Sequence, residues 1–348
     1  MVKIVDHGAW PLRPEDEGTH PPGVEPLWSE SLYLDFATAD GSLAGYVRLG
    51  LYPNWNRAWY WACLVGPDRP TVLLADHHVP LPGPDLAVRG AGFSATHDVT
   101  RPMRSFRLTL DAGAATVLDD PALAYAYPDG TVTSGPVTSG PVTDGTVTGG
   151  TGTSGPVAGG AVTTSLAFDL EWTTVGGVYP YGFLPRYEIP CEVAGTIRTG
   201  DEEIAFSGYG ERDHSWGERD WWGPSWLWSS GRLDDGTFFH GMRANLGFEM
   251  SWPCFTVPPG EEIEHREGFV SASEFGPDDL PALTRLEVPG TPMTAVPIAF
   301  APVAMTSPDG EIARFPRALC RYETEDGRQG HGWTEWHQPP GWRGHGWR

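Results

Sequence analysis

The chain has 348 residues, and its 23 basic against 45 acidic side chains give a formal charge of −22, which repels phosphate backbones and anionic lipid and so argues against nucleic-acid and membrane-surface partners. No apolar run approaches the ~20 residues needed to cross a bilayer, and the opening MVKIVDHGAWPLRPEDEG lacks the apolar core of a secretory signal, so a cytoplasmic protein without membrane insertion is expected. Glycine (45) and proline (34) are abundant while helical periodicity is nearly absent, which makes this an all-β chain, long enough for two domains.

Residues 1–28 are polar and proline-rich and read as an extended lead-in. The runs at 31–36 (SLYLDF) and 43–51 (LAGYVRLGL) flank Asp40 and Gly41. An Asp-Gly pair readily takes the positive φ of a tight turn, so a hairpin is expected. Trp55, Trp59, Tyr60 and Trp61 lead into two further strand-like runs, ACLVG and TVLLADHHVPLP, and RSFRLTL at 104–110 alternates cleanly. Between 128 and 164 the pentapeptide TSGPV recurs at 133–137, 138–142 and 153–157. A period of five with glycine and proline in every unit stacks no core, so a flexible surface insertion between two strands is expected. SLAFDLEWTT at 165–174 then closes the first domain.

After a glycine- and tyrosine-rich crossover, a second strand set begins with CEVAGTIR at 191–198. Asp235-Gly236, Asp309-Gly310 and Asp326-Gly327 mark three more hairpins. The four cysteines, Cys63, Cys191, Cys254 and Cys320, stand far apart without CxxC spacing, which suits reduced thiols. The expected organisation is two tandem antiparallel β-barrels over 29–178 and 179–348. Closure removes bare sheet edges, and barrels of this size hold one small apolar ligand.

The densest chemistry lies at 208–228, GYGERDHSWGERDWWGPSWLW, where five tryptophans are interleaved with Arg212, Asp213, His214 and further charges. Indole favours burial and charge resists it, so the mixture is stable only if the charges pair or face a wet cavity. Strand alternation puts Arg212, His214 and Trp216 on one face and Asp213 on the other. An imidazole that titrates near neutrality, beside an indole that stabilises cations, can protonate an apolar substrate and shelter the resulting charge. The same residues also describe a structural corner, with Asp213 capping turn amides and the arginines pairing with nearby acids.

GYGERDHSWGERDW, preceded by RYEIPCEVAGTI and followed by the Trp-x-Trp of Trp226 and Trp228, resembles the two-domain lipocalin-like family of bacterial carotenoid 1,2-hydratases, fungal kievitone hydratases and lipocalin-like Diels-Alderases. It is most similar to uncharacterised actinobacterial members. The resemblance covers 186–245 and extends to 29–61, where SLYLDF is similar to the family's aromatic strand ending in Asp-Phe. It implies two lipocalin-like barrels, a pocket near their junction and no cofactor. In the hydratases a His-x-Trp pair and a Tyr-x-Asp pair on a following strand supply acid, base and cation stabilisation. His214 and Trp216 match the first pair. The strand matching the second reads TFFHGM, with Phe239 and His240 but no carboxylate, which makes His240 the substitute.

Tyr33, Arg212, Trp226, Trp228 and His240 are expected to meet a ligand. Trp59 and Trp61 either join them or plug the first barrel, and Glu335 either supplies the missing carboxylate or faces solvent on an edge strand. His77-His78, His97-Asp98, Glu264-His265 and His331 with Glu335 and His337 lack the spacing of a zinc site, so no metal is expected. Two functions follow. One is a cofactor-free lyase or isomerase of the hydratase or cyclase type, acting on a hydrophobic terpenoid, polyene or polyketide through His214, Asp213 and Trp216. The other is a lipocalin-like carrier of a lipophilic metabolite, in which the charged motif is a corner.

Overall fold

The computed structural model describes residues 2–8, 11–128, 130, 162–245 and 253–342. The TSGPV repeats fall outside the described residues. The first sheet contains β1 (Trp28–Ala37), β2 (Ala44–Tyr52), β3 (Arg57–Gly66), β4 (Arg69–Val79), β5 (Ala87–Gly90), β6 (Phe93–Arg101), β7 (Ser105–Leu118), β8 (Thr163–Thr174), β9 (Tyr179–Pro180), β10 (Arg186–Thr199) and β11 (Glu202–Glu218). The second contains β12 (Ser225–Leu233), β13 (Phe238–Asn245), β14 (Cys254–Val257), β15 (Glu264–Arg266), β16 (Val270–Phe275), β17 (Pro281–Val288), β18 (Thr291–Phe300), β21 (Arg317–Thr324) and β22 (Gln329–His337). A separate hairpin is formed by β19 (Val303–Thr306) and β20 (Ile312–Phe315).

The first sheet closes. Its order β4-β3-β2-β1-β11-β10-β8-β7 returns to β4 through the pairs Thr71 to Leu118 and Leu73 to Thr116. The second runs β15-β14-β13-β12-β22-β21-β18-β17-β16 and curls into a barrel-like shape. All pairings between these named strands are antiparallel, as expected for two tandem lipocalin-like barrels. The Asp-Gly turns form as the sequence requires, with Gly41 at φ 68° and Gly236 at φ 89°, backbone positions that favour glycine.

The sequence reading placed 186–218, with the charged motif, in the second barrel. Instead β11 pairs with β1, and β10 pairs with both β11 and β8. Without β10 and β11, β1 and β8 would present unpaired backbone edges, so these strands are what closes the first barrel.

β1 and β2 are buried at every residue, whereas β8 alternates buried and exposed. Two coverings explain the difference. Leu32, Leu34, Phe36 and Tyr60 fill the interior of the first barrel, and Tyr33, Tyr46, Trp59 and Trp61 belong to the core shared with the second sheet. Trp59 and Trp61 therefore do not plug the first barrel; their register puts them on its outer wall, stacked near His77. Hydrogen bonds from Tyr46 Oη to the Ala301 carbonyl (2.8 Å) and from Trp333 Nε1 to the Phe36 carbonyl (3.2 Å) tie the sheets together. Burial of each large side chain contributes ~1.5–3 kcal/mol, so the contact is a core and not a hinge.

Candidate functional site

β11 carries the site because its two faces look into different environments. Across the ladder Leu32 pairs with His214, Tyr33 with Asp213 and Leu34 with Arg212. Leu32 and Leu34 point into the first barrel, so Arg212 and His214 do too; Tyr33 and Asp213 point outward, toward the second sheet.

On the inner face the lead-in folds over the barrel mouth. A short 3-10 turn, Pro14–Glu17, buries Glu17, whose carboxylate pairs with Arg212. Glu30 Oε1 lies 2.9 Å from His214 Nε2 and 2.7 Å from His20 Nδ1. Both imidazoles thus meet one carboxylate, and His214 Nδ1 lies within hydrogen-bond reach of Tyr187 Oη at 3.1 Å. Burial alone would raise the Glu30 carboxyl, but the hydrogen bonds from His20 and His214 outweigh it and hold it below its ordinary value. His20 stacks on Trp216 at 3.7 Å, and His214 stands 5.2 Å from the same indole. The expected pair thus meets. The void beside His214 is only about 10 Å³, at most the room of one water.

On the outer face a cavity of about 400 Å³ opens between the two sheets. Its apolar wall includes Trp221, Trp226, Met242 and Phe315. Two carboxylates enter it, each tethered to an arginine: Asp213 Oδ2 to Arg186 Nη2 at 3.0 Å, and Glu335 Oε2 to Arg317 Nη2 at 2.7 Å. Trp226 Nε1 donates to the other oxygen of Glu335 at 3.3 Å, and its ring stacks on His337 at 3.8 Å. Arg317 lies over the rings of Tyr33 and Tyr46 at 4.4 and 4.1 Å. Burial pushes the Tyr33 phenol well above its usual range, against the pull of Arg317, so it stays protonated.

Behind the cavity wall sits a buried polar cluster. Arg186 Nε donates to Glu188 Oε1 at 2.6 Å, Trp228 Nε1 approaches the same oxygen at 3.4 Å, and Tyr181 Oη meets His240 Nε2 at 2.9 Å. His240 Nδ1 is 2.8 Å from Glu211 Oε1, without hydrogen-bond alignment. Burial pushes Glu211 up to about 8, although the Ser230 hydroxyl bonded to it works the other way, and burial lowers His240 to about 4 against the attraction of Glu188. Glu188, Glu211 and His240 form one donor set close enough to hold a metal ion; His20, Glu30 and His214 form another.

Of the residues singled out from sequence, Asp213, Tyr33, Trp226 and Glu335 line the cavity. Glu335 is not on an edge, since β22 lies between β12 and β21. His214, Trp216 and Arg212 lie on the other side of the β11 wall, while Trp228 and His240 belong to the buried polar cluster. Sequence reasoning missed Arg48, Arg186 and Arg317. Each is a charge in a run otherwise apolar or aromatic, and that was the available signal.

A family described as a domain of unknown function (DUF7064) matches residues 13–340. No curated protein matches the chain by sequence. Among solved structures, an AttH candidate from Nitrosomonas europaea superposes with a TM-score of 0.58 at 12% identity, covering 99% of this chain and 100% of that one. CghA gives a TM-score of 0.52 at 11% identity over 90% and 89% of the two chains. Kievitone hydratase from Nectria haematococca gives 0.51 at 9% identity over 89% of each. At such identities the likeness shows the fold, which extends through both sheets in all three. The family match spans both sheets and the cavity between them, and the chain belongs to the DUF7064 family.

Proposed function

We propose that the protein is a lyase or isomerase of the hydratase or cyclase type, acting on a hydrophobic terpenoid, polyene or polyketide held in the cavity between the two sheets. The observation that carries this reading is the pairing, in one apolar space of about 400 Å³, of two arginine-tethered carboxylates with the faces of Trp221 and Trp226. An aromatic wall stabilises positive charge developing on a polyene, and a carboxylate at its edge removes a proton or orients water. Asp213 and Glu335 take the proton-transfer roles, Trp226 the cation-stabilising role, and the side chains work without a resident cofactor. His214 and Trp216 act at one remove, fixing β11 and hence the position of Asp213. Kievitone hydratase, which shares the fold, supports the hydratase reading by its name.

Native mass spectrometry of protein purified from its host identifies the retained small molecule. Incubating that molecule with fresh enzyme is expected to give a product heavier or lighter by one water, or an isomer of equal mass. Asp213→Asn is expected to slow this ~100-fold or more with affinity retained. A ligand returned unchanged by the native protein would refute catalysis and leave the carrier function.

A further inference from the structure

Of the four arginines that line the cavity, two lack a carboxylate partner. Arg186 and Arg317 each have a carboxylate partner, but among the described residues neither Arg48 nor Arg219 has one within ion-pair distance. Arg48 is 3% exposed and its Nη1 has no hydrogen-bond partner; Nη2 reaches only the Tyr52 hydroxyl, at 3.2 Å. Arg219 donates to Ser215 Oγ at 2.9 Å. Both guanidiniums lie near one indole, Arg48 4.8 Å and Arg219 5.4 Å from the Trp221 ring. The remaining carboxylates of the lining, Glu218 and Asp220, are exposed at its rim, where water screens them.

A buried guanidinium without a counter-ion is costly, and a ring face recovers only part of that cost. Arg219, half-buried at the same indole, is lowered to about 10 by burial and by repulsion from Arg186 and Arg48, against the attraction of Asp213, and is still cationic near neutrality. Tyr, Ser and indole groups satisfy neither charge. What completes the arrangement is an anion brought by the ligand. We infer that the ligand is an apolar molecule carrying a single anionic group, a carboxylate or equivalent oxyanion, which docks on Arg48 and Arg219 while its apolar body lies along Trp226 and Phe315. A polyanion is disfavoured, because the whole chain carries −22. The inference rests on the cavity being the ligand site.

Two fluorescent probes that differ by one sulfonate test it: anilinonaphthalene sulfonate and neutral N-phenyl-1-naphthylamine, titrated into the full chain. The native protein should bind the anionic probe about tenfold or more tightly than the neutral one. Arg48→Met and Arg219→Met should each weaken the anionic probe about tenfold while changing the neutral probe less than about twofold. Arg48→Lys should restore part of the preference, and Arg219→Met, at a partly exposed position, serves if Arg48→Met does not fold. Equal affinity for the two probes, or an anionic preference unchanged by both methionine variants, overturns the inference while leaving the cavity as an apolar site. Failure of both probes to bind overturns the cavity reading and this inference together.

Discussion

Asp213 and His214 are adjacent in the chain and serve opposite sides of one wall. The first reaches Arg186 at 3.0 Å in the space between the sheets, and the second reaches Glu30 at 2.9 Å at the mouth of the first barrel. Mutations at these two neighbours therefore act on different sides of the wall.

His214→Ala is expected to cost ~1–3 kcal/mol of stability, because it strips Glu30 and Tyr187 of a buried partner. Urea denaturation measures that loss, and limited proteolysis should show earlier cleavage within 11–27. Binding of a neutral apolar probe should stay within about twofold of native. A large fall in probe affinity with unchanged stability would return His214 to the binding site.

Glu17→Ala removes the only ion-pair partner of Arg212 among the described residues, and both side chains are nearly inaccessible. Loss of one member of such a pair costs ~3–5 kcal/mol. Chemical denaturation of this variant beside Glu15→Ala, in the same turn but exposed, separates the pair from a general weakening of the lead-in; equal effects would refute the pairing.

Glu211 sets a pH dependence whose sign is opposite to that of a salt-bridged carboxylate. Its folded value is about 8, while an unfolded glutamate releases its proton near pH ~4.3. Between these limits the native state holds a proton that the unfolded chain has lost, so this group's contribution to stability falls as pH rises and levels off above about 8. Glu211→Gln should therefore match native stability at pH 4 and exceed it by several kcal/mol, up to about 5, at pH 8.5. Guanidinium melts at the two pH values give the difference, and parallel curves would count against a neutral Glu211.

Tyr46→Phe deletes the hydroxyl that bonds the Ala301 carbonyl across the sheets, beneath Arg317. A loss of ~0.5–1.5 kcal/mol is expected. Because the two sheets share one core, circular dichroism and tryptophan fluorescence should report the same single transition in both proteins. Two resolved transitions would show that the sheets fold as independent units.

Much of the architecture was written locally. Alternating strands, the Asp-Gly turns at Gly41, Gly236, Gly310 and Gly327, and the scarcity of helix all depend on neighbours within a few residues, and all four glycines take positive φ. The opposition of Asp213 to His214 was equally legible, since alternation is a property of any strand.

Sequence could say that β11 has two faces, but not which face meets empty space. That depended on the partners of β11: pairing with β1 turned His214 into a filled barrel and Asp213 toward the second sheet. It likewise brought together Arg48, Arg219 and Arg317, from positions 48 to 317 in the chain, around one cavity. Strand periodicity is a short-range rule set by backbone geometry, whereas a cavity exists only where distant surfaces fail to meet, and no local pattern records that.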